Sequence, residues 1–319
     1  MMKNKYRYWM KVLMLLLIIA GQMSVVSAEE VIKIGVLQYV EHVSLNANYQ
    51  GFIDGLKELG YEEGKNIAIE YVNAAADNAN LQSMSEKLVK NNDYLFAIAT
   101  PAAQALANVA GKAPLYFSAV TDPVAAGLVD NLEKPSKSVT GTIDASPIDE
   151  QVKLLQQLQP KAKTIGLLYN SGETNSQAEA KRAQTALEKK GLKVEHYTVT
   201  STNDISQVMQ SMVGKVDAIF TVTDNTIASA MSLVGDLALE AKLAIFGGST
   251  DMILENGLAT YGLDYYSLGK QTAAMLVKQL KAGGKGQTLP VESAAEQKLV
   301  INEKVAAALN IDVSAVKKE

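Results

Sequence analysis

The chain is 319 residues long, with 30 Lys+Arg against 34 Asp+Glu, a formal charge of −4, and no cysteine. Without cysteine there is no disulfide, no thiolate nucleophile or metal ligand, and no site for a lipid anchor. The acidic balance excludes the clustered positive charge that a phosphate backbone requires, so nucleic acid is not an expected partner.

The first predicted element is an export signal. Lys3, Lys5, Arg7 and Lys11 flank and enter the apolar run WMKVLMLLLIIAG, and VVSAEE sets small residues at Val26 and Ala28 before Glu29. This reads as a secretory signal peptide cleaved after Ala28, its apolar part being too short to span a bilayer; an uncleaved anchor is the alternative. Without residues 1–28, 26 Lys+Arg stand against 34 Asp+Glu, a charge of −8. No later segment is long and apolar enough to cross a membrane, and a soluble exported chain without an anchor points to a periplasm. The remaining length is enough to bury a large core without covalent staples.

From Val31 onward, short apolar runs alternate with amphipathic stretches. VIKIGVLQY (31–39) predicts a strand, followed by a helix over 45–59 with Phe52, Ile53, Leu56 and Leu59 at helical spacing. NIAIEYV (66–72) is the next strand, Leu81 to Val89 the next helix, and YLFAIA (94–99) the third strand. A helix over 102–109 and the strand PLYFSAV (114–120) complete this run. The same grammar restarts after SVTGTIDASP (138–147): helix 148–158, strand 164–170, helix 175–190, strand 192–199, helix 204–213 and strand 216–222. Helix 226–241, strands 243–246 and 258–264, and helix 266–281 follow, then AGGKGQ (282–287) and a tail with one strand and one helix over 298–310. Such alternation implies βαβ units, and hence two closely tied α/β lobes built on parallel sheets.

In parallel sheets ligands gather beyond the carboxyl ends of the strands, beside helix N-termini. The residues there are polar in both lobes. Gln38, Glu41 and His42 follow the first strand, Thr100, Pro101 and Ala102 the third, and Thr121 and Asp122 the fourth. In the second half SGETNS brings Asn175 and Ser176, IFTVTDNTIASA brings Asp224, Asn225 and Thr226, and Asp264 ends the last long strand. Each of these suits a helix cap or turn as well as a ligand contact; their recurrence in both halves predicts a polar cleft between lobes. Helix N-termini at Thr100–Ala102 and Asn175–Ser176 offer N–H donors to a carboxylate. Asp122, Asp224 and Asp264 can each meet an ammonium, Asp224 being the leading partner. Tyr39, Phe117, Tyr169 and Phe220 sit near strand ends, where they either pack a ligand ring or belong to the core. This inventory fits a zwitterion with an apolar side chain. A phosphate does not fit, because GGKGQT follows a helix and not a strand.

Catalytic patterns are missing. His42 and His196 are the only histidines, and His196 belongs to a strand, on its solvent face. The sequence has no G-x-S-x-G elbow and no metal-type histidine spacing, so no cofactor, metal or catalytic residue is expected. An acid/base pair at Glu41–His42 is the enzyme alternative.

The stretches KIGVLQYVEH, GFIDGLKELGY, AIATPAAQALAN, FSAVTDPVAAGLV, GLLYNSGETNS, DAIFTVTDNTIASA, ATYGLDYYSLGKQTA and KLVINEKVAAALNI resemble the tryptophan/tyrosine-type substrate-binding proteins of ABC transporters. The resemblance implies the type I periplasmic-binding-protein fold: two Rossmann-like lobes joined by three hinge crossovers, near 142–146, 263–265 and 287–291. On that basis lobe one takes residues 29–143 and 265–288, and lobe two takes 144–264 and 289–319. It further implies capture of an α-amino acid, an aromatic one favoured, by lobe closure in a monomer, and delivery to a membrane permease. A sugar, a nucleoside or a signal molecule is the alternative ligand; against a sugar, arginine is scarce, with only Arg182 beyond Arg7.

Overall fold

The computed structural model describes residues 31–136, 138–283, 289–314 and 316. The export signal and its cleavage point lie outside the described residues. So does most of the AGGKGQ stretch.

The first lobe is built from β1 (Ile32–Gln38), α1 (Val43–Glu58), β2 (Ile67–Asn73), α2 (Asn78–Asn91), β3 (Tyr94–Ile98), α3 (Thr100–Val109), β4 (Leu115–Val120) and β5 (Val139–Ile143). The second contains α4 (Ile148–Leu158), β6 (Thr164–Asn170), α5 (Thr174–Lys189), β7 (Lys193–Val199), α6 (Ile205–Met212) and β8 (Ala218–Thr221). It continues through α7 (Asn225–Ser229), α8 (Met231–Glu240), β9 (Ala244–Gly247), α9 (Thr250–Glu255) and β10 (Ala259–Gly262). The chain then runs through α10 (Tyr265–Lys281), β11 (Glu292–Ser293), β12 (Lys298–Ile301) and α11 (Glu303–Leu309).

Two six-stranded sheets result, ordered β11-β5-β4-β3-β1-β2 and β12-β10-β9-β8-β6-β7. All pairings are parallel except β10 with β12. Helices cover both faces, so the central strands are mostly apolar. Ile34, Val36, Phe96 and Phe117 are fully buried in one sheet and Leu167, Phe220 and Phe246 in the other. The stacked rings of Phe52 and Phe96, 3.9 Å apart, fasten α1 to the first sheet. Strand order reverses at β1/β3 in lobe one and at β6/β8 in lobe two, which makes the carboxyl ends of these four strands the expected ligand positions.

Helix α10 returns to lobe one and lies against α1. A Cβ at Gly51 would stand 2.0 Å from the Tyr266 carbonyl oxygen, and one at Gly269 would stand 2.0 Å from that of Asn48. Only glycine allows the two backbones to come this close.

Three features depart from the sequence reading. The helix predicted over 226–241 is two helices, because Ala230 leaves helical geometry (φ −123, ψ 23). An additional helix, α9, follows the left-handed glycines Gly247 and Gly248, with Ser249 accepting from Met252 N. Residues 289–293 were expected in lobe two, yet they run with the first sheet. Thr140 donates to the Pro290 carbonyl, Gln271 donates to Glu292 and to the Ser293 carbonyl, and β11 pairs with β5. The third crossing therefore falls between Ser293 and Lys298.

Candidate functional site

The carboxyl ends of the two sheets face each other and the lobes are closed. Ser44 Oγ, in the first turn of α1, donates to Asp251 Oδ2 of α9 at 2.6 Å and lies 3.2 Å from Ser249 Oγ. His42 Nε2 faces Asn225 Oδ1 at 3.5 Å, and Ser146, on the first crossing, meets Thr223 Oγ1 at 2.9 Å. Inside this seam is a chamber of about 10 Å³, walled by His42, Ser44, Leu45, Ala119, Thr121 and Asp144 on one side. Asn175, Thr223, Asp224, Asn225, Ala228, Ser249 and Met252 wall the other, with Tyr265 at the second crossing. A wider cavity of about 510 Å³ opens at the mouth of the cleft, bounded by Tyr39, Pro101 and Gln104 of lobe one and by Asn170 and Glu173 of lobe two.

The chamber is rich in acceptors. Asp144 is 3 % exposed and receives Thr121 Oγ1 at 3.0 Å and Tyr265 Oη at 2.8 Å. Burial pushes its carboxyl up to about 6; Glu179 adds to the rise, and the hydroxyl donors oppose it. Asp224, 2 % exposed, does two things at once. Its Oδ1 caps α7 through Ile227 N at 2.8 Å, and its Oδ2 accepts from Asn170 N at 2.6 Å. Burial, and then the neighbouring Glu173 carboxylate, raise it to about 7. Asn175 gives its amide hydrogens to the Thr223 carbonyl and the Ser176 hydroxyl, which leaves Oδ1 buried without a partner. His42 is lowered to about 4 by desolvation, against the pull of its bond to Asn225, so it is neutral at pH 7.

Behind this wall lies a second layer that sequence reasoning did not single out. Glu173 accepts from the amide and side chain of both Asn225 and Thr226 and from Asn170 Nδ2, tying β6 to the start of α7. Glu179, fully buried on α5, accepts from Ser146 N at 3.3 Å and Thr223 N at 2.6 Å. The only signal for Glu179 was an acid placed on the apolar face of its helix; Glu173 stood in plain view within SGETNS but looked like part of a turn. Ser44, Asp144, Ser249 and Tyr265 likewise give no sign of their role in the sequence.

The candidate residues scatter over several environments. His42, Thr121, Asn175, Asp224 and Asn225 line the chamber, and Pro101 lines the outer cavity. Ser176 and Thr226 stand one layer back, holding Asn175 and Glu173. The turn at Asn175–Ser176 faces the protein's own Asp224. Thr100 and Ala102 are buried at the start of α3, where Ala99 adopts φ 81 and the Thr100 hydroxyl has no partner. Gln38 is turned inward and pins the β1–α1 loop through the Val40 carbonyl and Asn46. Glu41 is exposed, and Asp122 closes its own turn by accepting from Val124 N and Ala125 N. Tyr169 points to the sheet edge, its hydroxyl 3.3 Å from His196 Nδ1, and exposed Asp264 caps α10. Among the described residues no cluster suited to a metal ion occurs, and no helix is long and apolar enough to cross a membrane.

Known proteins share this architecture. The chain is 37 % identical over 279 residues to a tyrosine-binding protein of Clostridioides difficile, covering 87 % of this chain and 81 % of that one. A Streptococcus pneumoniae ABC domain solved in complex with L-Trp superposes with a TM-score of 0.85 at 42 % identity, over 89 % of this chain and 96 % of its own. The ligand-free, open structure of a Clostridium difficile substrate-binding protein, 38 % identical, covers 90 % of this chain and 98 % of its own and reaches a TM-score of only 0.68. A family model described as ABC transporter substrate binding protein matches residues 33–316, and the chain belongs to that family.

Proposed function

We propose that the protein captures an aromatic amino acid, tryptophan, tyrosine or phenylalanine, between its lobes and hands it to an ABC permease in the membrane. Family membership makes it an extracytoplasmic solute-binding component of an ABC importer. In our reading residues 1–28 direct export and are removed after Ala28, and the mature chain works as a soluble periplasmic monomer that releases its ligand unchanged.

The observation that carries the ligand class is the chamber's acceptor-rich wall. Asp144, Asp224 and Asn175, whose Oδ1 is buried without a partner, all line it, and among the described residues no Lys or Arg side chain does. A buried carboxylate without a cation is costly, and an ammonium group relieves that cost. Asp224 is the principal ammonium partner in this reading. The ligand carboxylate goes to the start of α3, where the helix N-terminus and the unpartnered Thr100 hydroxyl offer donors. A space of about 10 Å³ takes only the ammonium group, and the cavity of about 510 Å³, with Tyr39, Leu81, Pro101 and Ala105 in its wall, supplies apolar surface for a ring. The names of the two relatives, one tyrosine-binding and one holding L-Trp, support an aromatic side chain.

Trp9 is the sole tryptophan, so a chain lacking residues 1–28 has no indole of its own. Added L-tryptophan should then show a saturable blue shift on entering the cleft, with calorimetric heat for L-tyrosine and L-phenylalanine as well. Asp224→Ala should weaken binding about 10- to 100-fold while circular dichroism stays native, the range expected for a hydrogen bond to a charged group. An unchanged affinity removes Asp224 from the site. No heat with any amino acid overturns the ligand assignment. Mass spectrometry of recovered ligand should return the compound added; a converted product would instead make the protein an enzyme.

A further inference from the structure

The first crossing between the lobes carries a buried acid in the same chamber as Asp224. We propose that Asp144 is a ligand-recognising residue that shares the ligand ammonium with Asp224, so that an amine is what permits the lobes to close. This rests on the amino-acid reading above and extends it from one acid to a pair set on opposite sides of the hinge.

Two independent observations carry it. Asp144 lies immediately beyond β5, on the strand end where the chain leaves lobe one, and Asp224 lies beyond β8 of lobe two; both wall the chamber. Closure therefore brings two carboxylates to one small space. Separately, Asn175, another wall residue, has a buried amide oxygen without a partner while both of its amide hydrogens are engaged. An acceptor held this way asks for a donor, and an ammonium offers three hydrogens to three acceptors.

The surrounding groups leave this role to the ligand. Thr121 at the end of β4 and Tyr265 on α10 donate hydroxyls to Asp144 but bring no charge. Glu179 on α5, Glu173 before it and Asp251 on α9 are further acids. His42, before α1, bonds to Asn225 and is held neutral, and the nearby Arg182 side chain reaches only the Ser146 carbonyl, at 3.4 Å. Burial raises both carboxyls, and Glu179 adds to the rise at Asp144 as Glu173 does at Asp224. With an amine the same acids attract one cation from both lobes.

The test compares L-tryptophan with 3-(indol-3-yl)propionate, which lacks only the amine, on wild type and Asp144→Asn by calorimetry. The variant should lose about 10- to 100-fold in affinity for L-tryptophan and change less than about threefold for the deaminated acid. Equal losses for both ligands mean a hinge role alone, and unchanged affinity for L-tryptophan also overturns the proposal. Should the variant fail to fold, the carboxyl carbon of Asp144 can be titrated by NMR in the wild-type complex. An ammonium partner keeps it ionised below pH 4, whereas titration near pH 6 in the complex overturns the pairing. If L-tryptophan and the other aromatic amino acids give no heat with wild type, the ligand assignment has failed; if they bind and the discrimination is unmoved, only the role of Asp144 has.

Discussion

Glu173 shows how a side chain outside the chamber governs it. Its two oxygens receive the backbone and side-chain donors of Asn225 and Thr226 together with Asn170 Nδ2, so the start of α7 is held by an acid at the N-cap of α5. That arrangement holds Asn225 where it meets His42 of lobe one, and the charge of Glu173 is the second cause of the raised Asp224 carboxyl. Glu173→Gln keeps the shape but offers one acceptor oxygen where there were two, and turns an amide toward donors. It should lower stability by about 2 kcal/mol, read as a fall in the urea midpoint, and should move the Asp224 carboxyl down. An unmoved midpoint would show that the cap contributes nothing. At this scale the sequence was only partly legible. Asp224 is the cap that its spacing suggested and a chamber wall as well, and a preference scale cannot separate the two because the same carboxylate does both. Asp264 and Asp122 look alike in sequence, yet one caps α10 and the other closes a turn. What distinguishes them is which neighbouring strand end lies opposite, and that is decided by tertiary packing.

Between elements, closure is fastened where α1 meets α9. The Ser44 hydroxyl bridges to Asp251 at 2.6 Å from the first turn of one helix to the first turn of the other. This contact forms only when the lobes meet, so it adds to the lifetime of the complex and not to the encounter. Ser44→Ala should speed ligand dissociation roughly 3- to 10-fold, as loss of one hydrogen bond to a charged group implies, with association within about twofold. Stopped-flow fluorescence measures both rates; an equal change in both would show that Ser44 acts before closure. Helix α9 is also the element that the sequence concealed. Six residues after two left-handed glycines are too few to display a helical period, whereas the buried strands and the long helices α1, α5 and α10 announce themselves by length and repeated apolar spacing. The break at Ala230 was hidden for the opposite reason. Its neighbours stay apolar on both sides, so no change of pattern marks the point where Ala230 leaves helical geometry.

Over the whole molecule, closing and opening decide affinity, because ligand is held only to the extent that the closed state is populated. Proton uptake enters through His42, which sits on the seam between lobes. In the closed form desolvation lowers it to about 4 from an ordinary value of 6.5, the bond to Asn225 recovering part of that shift. With the lobes apart and the ring in water it returns to the ordinary value. A histidine depressed by closure binds fewer protons closed than open. Its contribution to affinity is therefore complete above pH 6.5 and is lost as pH falls from 6.5 toward 4. The chamber carboxylates do not oppose this in the liganded protein: paired with an ammonium they stay ionised, and in the open form they titrate near the ordinary carboxylate range, below the window. The dissociation constant for L-tryptophan should thus be level from pH 8 to pH 7 and then rise by up to about tenfold per pH unit below 6.5, the slope of one proton. His42→Gln should flatten that rise while lowering affinity at pH 8 only modestly, since the amide still reaches Asn225. Calorimetry at pH 7.5 and pH 5 on both proteins measures it. A constant that does not move with pH in the wild type would mean that His42 is as wet in the closed protein as in the open one.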